Sequence, residues 1–118
     1  MKKIRVVNYT IQKPIFENAV LTENFLERAL GLMFKSSPLG FDALVIDKCD
    51  AVHSFFMRFD IDLIFLNREK IVMKIQKRLT PFKISSFVTG AYYVIETISH
   101  ENTEENFSCG DVIDFLEN

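Results

Sequence analysis

The stretch that decides the fold is residues 61–76, which read IDLIFLNREKIVMKIQ. Its first six residues are almost all apolar, as expected for a central strand that is covered on both faces. Residues 67–70 are polar and are typical of a turn. Residues 71–76 then alternate between apolar side chains and a mixed set, which predicts a half-buried strand. The stretch therefore predicts two strands joined by a short polar turn.

Short strand-like segments separated by turn residues continue on both sides of this stretch. The predicted strands are residues 2–9, 15–21, 43–46, 52–58, 91–98 and 112–116. Pro81 and residues 83–90 are expected to form a long connection, and residues 100–106 a loop or a single helical turn. The pattern predicts an α+β fold that is mostly antiparallel β, with a small barrel-like or sandwich sheet.

One short helix is predicted near the N-terminus. Thr22 is a good N-cap, and Glu23 follows in the first turn, where the helix dipole favours an anion. Gly31 is expected to end the helix in a left-handed conformation. Between them lies an apolar stripe at helical spacing, formed by Phe25, Leu26, Ala29, Leu30 and Met33.

The length and composition fit a single domain over residues 1–118, with hydrophobic residues making up 48% of the chain. A chain of this size buries enough surface to be stable without metals or disulfides. Phenylalanine occurs 12 times. Because its side chain has no polar group, most of these residues are expected in the core.

The charge pattern weighs against several classes of protein. The formal net charge is −2 and the isoelectric point about 5.7, so nucleic-acid binding is disfavoured. Basic residues near Phe82 and Phe87 could form an RNA-stacking surface, but lysines on an edge strand more commonly prevent edge-to-edge pairing. We expect no signal peptide and no membrane span. With only Cys49 and Cys109, the cytoplasm is the expected compartment.

Two segments resemble a known family. Residues 28–35, RALGLMFK, are similar to the element R-x-x-G-L-M-x-R of the domain of unknown function 192 family. Residues 49–66, CDAVHSFFMRFDIDLIFL, resemble its central block C-x-x-V-H-T-x-x-M-R-x-P-I-D-x-x-F-L. Pro81, the segment AYYVIE at 91–96 and Gly110-Asp111 follow in the family's order, although Asp60 replaces its usual proline. The resemblance implies no activity, because the family has none established.

The sharpest enzyme hypothesis is a nucleophile pair of Cys49 and His53, with Asp62 orienting the imidazole. A thiol becomes a good nucleophile when a nearby base lowers its pKa, and the base needs a third group to fix its tautomer. Papain-type and caspase-type signatures are absent, and residues adjacent in sequence need not face each other. The hypothesis therefore stays an alternative to a buried cysteine and a hydrogen-bonded histidine.

A second alternative is a metal-binding protein, in which His100 and Cys109 would join Cys49 and His53 around zinc. The spacing lacks a zinc-knuckle pattern, and free cysteines are commonly just buried. We therefore predict no metal and no cofactor.

Asp62 and Glu96 each lie in a strongly apolar segment, where an unpaired carboxylate would be costly. Arg28 on the predicted helix is the expected ion-pair partner of one of them. The predicted binding residues are Arg28, His53, Met57, Asp62 and Glu96, and the sequence leaves open whether they line one cleft. The function predicted from the sequence is a non-catalytic binding or protein-interaction module whose partner is an unidentified protein or small molecule.

Overall fold

One seven-stranded β-sheet dominates the computed structural model of this protein, which describes residues 1–24, 27, 41–54, 59–99 and 102–117. A short helix, α1, spans Thr103–Asn106 between the last two strands. No helix in the described part of the chain is long and apolar enough to cross a membrane. In chain order the strands are β1 (Lys2–Asn8), β2 (Lys13–Leu21), β3 (Ala43–Asp47), β4 (Ile61–Leu66), β5 (Val72–Leu79), β6 (Tyr93–Ile98) and β7 (Ile113–Glu117).

The spatial order of the strands is β5-β4-β6-β3-β2-β1-β7. All neighbouring strands are antiparallel except β2 and β3, which are parallel. The predicted mostly antiparallel sheet is therefore confirmed. The two edge strands approach each other at one isolated bridge between Ile71 and Val112. The Val72 N–H donates to the Asp111 carbonyl there (2.9 Å), but no ladder continues, so a closed barrel is not confirmed.

The sheet has a hydrophobic core on each face, because β4 is buried at all six positions. Ile64 and Leu66 belong to one core, which also contains Phe107 just after α1 and is called the α1-side core. Leu63 and Phe65 point to the opposite face and belong to the loop-side core, against which parts of the connecting segments pack. The apolar run of β4 thus predicted correctly that the strand is covered on both sides.

As expected, most of the described phenylalanines belong to a core or pack against one: Phe16, Phe41, Phe59, Phe65, Phe107 and Phe115. Only Phe65 and Phe107 among them are completely shielded from solvent, and Phe82 and Phe87 are exposed. The connection that carries Phe82 and Phe87 covers the loop-side core with Val88 and Ala91 instead. Its larger aromatic side chains are left on the outer surface.

The predicted strands agree with the sheet within a few residues, except for residues 52–58. Of this segment the structure describes 52–54, where His53 forms only an isolated bridge with Ile84. Thr22 was expected to cap a helix, but its hydroxyl donates to Asp47 Oδ1 (3.0 Å), and the Glu27 N–H donates to Asn24 Oδ1 (2.9 Å). The rest of the predicted helix, with Gly31, lies outside the described residues.

Candidate functional site

A cavity of about 450 Å³ opens at one end of the sheet, where β3 does not extend as far as the strands on either side of it, β2 and β6. The first β2–β3 pair is Ala19 with Ala43, so the earlier part of β2 has no β3 residue beside it. On the other side β3 pairs with β6 only as far as Glu96, so Thr97 and Ile98 also extend beyond it. The gap between β2 and β6 forms the cavity, called here the end cavity.

The end cavity combines an aromatic wall with polar groups. The Phe16 and Phe107 rings lie 6.1 Å apart between centroids, and this pair meets α1-side core residues at the bottom of the gap. Polar groups come from Asp42, from β6 and from α1. The described lining residues are Ile15, Phe16, Phe41, Asp42, Thr97, Ile98, Asn102, Thr103, Asn106 and Phe107. Apolar walls with a few placed polar groups are typical of small-molecule sites.

Asp42 is held in place by its backbone. Its N–H donates to the Asn18 carbonyl (2.6 Å), and its carbonyl accepts a hydrogen bond from the Thr97 hydroxyl (3.0 Å). Among the described residues, no hydrogen bond or ion pair engages its exposed carboxylate. The cavity therefore has one positioned carboxylate at its entrance.

Asp62 is completely buried and holds several elements together at the α1 side of the sheet. Its Oδ1 accepts hydrogen bonds from the Arg78 N–H (2.9 Å) and from the Ser99 hydroxyl (2.9 Å), and its Oδ2 accepts one from the Thr103 hydroxyl (2.6 Å). These bonds join β4 to β5, to the segment after β6, and to α1. These three donors from the described residues make the Asp62 carboxylate a structural anchor for the helix beside the end cavity.

Cys49 lies on the opposite side of the sheet, packed against the loop-side core. Its thiol donates to the Ala51 carbonyl (3.0 Å). Burial raises its pKa to about 11, and the nearby Glu96 carboxylate adds to the rise. An activated nucleophile needs a lowered pKa, so this environment does not favour catalysis by Cys49.

Glu96 also faces the loop-side core, since it pairs with Leu63 of β4 and Leu44 of β3. Its side chain is fully buried, and no donor in the described part of the chain reaches its Oε2. Burial alone raises its pKa to about 8, so the carboxyl is mostly protonated at neutral pH.

An exposed apolar ridge is formed by Phe82, Ile84 and Phe87, whose exposed fractions are 62, 59 and 77%. Backbone hydrogen bonds tie residues 82–85 to residues 52–54, so the ridge is part of a short paired segment that includes His53. Exposed apolar side chains that lie close together are typical of protein contact sites.

Comparison with known proteins identifies the family. The family model for DUF192, described as an uncharacterized ACR, matches residues 8–115. The chain belongs to the domain of unknown function 192 family. It is also 35% identical over 94 residues to the UPF0127 protein PF1050 of Pyrococcus furiosus, and the match covers 77% of this chain and 80% of that protein.

Two crystal structures share the fold of this member of the domain of unknown function 192 family. One is a protein of unknown function from Novosphingobium aromaticivorans, with a TM-score of 0.71, 17% identity, and coverage of 95% of this chain and 83% of that one. The other is a Sinorhizobium meliloti protein described as a proposed transcription regulator, with a TM-score of 0.75, 14% identity, and coverage of 97% and 92%. At these identities the likeness concerns the fold alone.

The structure brings together only some of the residues predicted for a site in this family member. Glu96 and Cys49 share the loop-side face, whereas the sheet separates both from Asp62, which faces α1. Asp62 therefore does not stand beside Cys49 as a triad would require. Arg28 and Met57 lie outside the described residues, so their predicted roles stay predictions.

No cluster of histidine, cysteine or acidic side chains suited to a metal ion occurs in the described ranges. His100 lies outside these ranges, so the predicted absence of a metal site stays a prediction. Cys49 and Cys109 are both free thiols.

The end cavity was missed by the sequence reasoning. Thr97, Asp42 and Thr103 are ordinary polar residues in sequence, and no motif joins them. The only available signal was the contrast between an apolar strand and the polar stretch that follows Ile98. For that stretch the sequence predicts a loop or a single helical turn, without a role in a site.

Proposed function

We propose that this protein is a non-catalytic binding module that takes a small molecule into the end cavity. The observation that carries the proposal is the cavity itself, whose volume of about 450 Å³ falls within the usual range of ligand sites. Its walls combine aromatic side chains with polar groups on several elements, and Asp62 anchors α1 beside it.

Two observations support a non-catalytic role. The raised pKa of Cys49 leaves very little thiolate at neutral pH, and Asp62 points to the other face of the sheet. Among its described lining residues the end cavity contains no cysteine and no histidine. A site that offers no thiol and no imidazole among these residues is suited to recognition. We also propose a cytoplasmic location, which the two free thiols support.

Amide NMR with 2-phenylethanol as a neutral probe tests the proposal. We expect chemical-shift changes concentrated at Thr97, Ile98 and Thr103. Ile98→Trp should fill the cavity and weaken binding about tenfold or more, because bulk replaces the space for the probe. The matched control is Ile11→Trp, since Ile11 is similarly exposed but does not line the cavity.

Binding that survives Ile98→Trp unchanged would contradict the proposal, as would shifts centred elsewhere on the protein. Folding of both variants is checked by their thermal unfolding. If Ile98→Trp does not fold, the location of the shifts in the unmodified protein decides the question.

The apolar ridge favours a second candidate function, binding of another protein. A photo-crosslinking amino acid at Phe87 should then capture a partner in cells, while the same group at Tyr9, which is also exposed, should not. Absence of any crosslink at Phe87, or equal crosslinking at Tyr9, would remove this candidate.

A further inference from the structure

Two hydroxyl groups at the end cavity are available to a ligand as hydrogen-bond acceptors, beside the carboxamides of Asn102 and Asn106, which can both donate and accept. A hydroxyl has one proton to donate. The Thr97 hydroxyl donates it to the Asp42 carbonyl, and the Thr103 hydroxyl donates it to Asp62. What these two side chains can offer a ligand is therefore oxygen lone pairs. The Asp42 carboxylate adds further acceptors at the entrance.

The charge at the cavity comes from Asp42, which is the one formally charged side chain among the described lining residues. Lys13 does not line the cavity, but its ammonium donates to Asn106 Oδ1 (3.0 Å) and places a positive charge beside that lining residue. A ligand that brings a carboxylate or phosphate would meet the Asp42 carboxylate, which repels it.

The aromatic wall complements a cation as well. Phe16, Phe41 and Phe107 all line the cavity. The faces of aromatic rings carry partial negative charge and attract ammonium groups, while their area accommodates an apolar body.

We propose that the ligand of the end cavity is a primary amine with an apolar body, its ammonium received by Asp42 and the acceptor oxygens and its body by the phenylalanine rings. This inference rests on the proposed binding function and specifies the class of ligand. The same ammonium chemistry is available from a free amine or from a lysine side chain of another protein.

Isothermal titration with probes of similar shape tests the inference. Phenethylamine carries the ammonium, 2-phenylethanol is its neutral counterpart, and 3-phenylpropionate is an anionic one. We expect the amine to bind about tenfold tighter than the alcohol, and the acid to bind weakest. Added salt should weaken binding of the amine but leave that of the alcohol unchanged. Nα-acetyllysine methylamide distinguishes the two sources: binding tighter than that of phenethylamine indicates a protein lysine.

Asp42→Asn removes the charge of the side chain while keeping nearly the same shape. The variant should lose the preference for the amine while binding the alcohol within about twofold of the original affinity. Glu105→Gln is the control, because Glu105 is exposed on α1 and does not line the cavity. If Asp42→Asn does not fold, the comparison of the three probes on the unmodified protein still decides.

Equal binding of amine and alcohol would overturn the ammonium inference and leave the binding function intact. So would an Asp42→Asn variant that weakens both probes equally, because that result indicates a structural role. Failure of every probe to bind in the cavity would overturn both proposals.

Discussion

Glu96→Gln tests most directly how burial of an acid changes its pKa and thereby the stability of the protein. The Glu96 side chain is fully buried in the loop-side core, and its Oε2 accepts no hydrogen bond from the described residues. Burial raises its pKa from 4.5 to about 8. Glutamine has almost the same shape and carries no charge at any pH.

The sign of the pH effect follows from where the proton resides. Below about pH 4.5 the carboxyl is protonated in both states, so its ionisation costs no stability. As the pH rises, the unfolded chain loses the proton while the folded protein keeps it until about pH 8. Stability therefore falls across this window. By pH 7 the loss amounts to roughly 3 kcal/mol, at about 1.4 kcal/mol for each pH unit.

The assay is urea unfolding of the wild type and of Glu96→Gln from about pH 5 to about pH 8. We expect the two free energies of unfolding to agree within about 1 kcal/mol at the acid end, and the variant to become the more stable one by roughly 3 kcal/mol near neutrality. Glu17→Gln serves as the control, because Glu17 is exposed on β2. Parallel stability curves for wild type and Glu96→Gln would refute the reasoning.

Three further predictions concern other parts of the structure. Asp62→Ala should lower the free energy of unfolding by roughly 3 kcal/mol or more, because its three described donors lose a buried acceptor. Asp50→Ala, at an exposed position, should change the free energy by less than about 0.5 kcal/mol in the same urea experiment. At neutral pH, iodoacetamide should alkylate Cys49 at least about tenfold more slowly than the exposed Cys109, because the pKa of Cys49 is raised. Mass spectrometry follows the two rates, and equal rates would contradict the raised pKa. Gly110→Ala should lower stability by about 1 kcal/mol in thermal unfolding, because Gly110 has a φ of +93°; an unchanged melting temperature would show that this strain is relieved.

Most of the sheet could be predicted from local patterns. The apolar run at 61–66 predicted β4 with its bounds, and the alternation that follows predicted β5, which in fact continues to Leu79. Residues 52–54 were predicted wrongly as strand because apolar and aromatic residues favour strands in general. There they pair at a single bridge with a connecting segment. Local propensity indicates that a segment can be extended, but it does not indicate whether a partner strand is available.

The candidate site was less predictable than the fold. Asp62 and Glu96 were correctly expected to be buried, since each lies in an apolar strand. The sequence left open whether the two carboxyls share a face of the sheet. The pairs Asp62 with Thr97 and Leu63 with Glu96 place them on opposite faces. Strand register decides such questions, because a shift of one residue reverses the face of every side chain.

The sequence by itself determined the membership of the family, the mostly antiparallel character of the sheet and the burial of β4, because motif spacing and hydrophobic periodicity are local properties of the chain. Only the tertiary structure decided which side chains meet. The end cavity exists because β3 does not extend as far as β2 and β6 at this end, and because Asp62 anchors α1 across the gap between them. These pairings join residues that are far apart in the chain, and their energies depend on all the contacts formed together. For this reason no local sequence pattern predicts them.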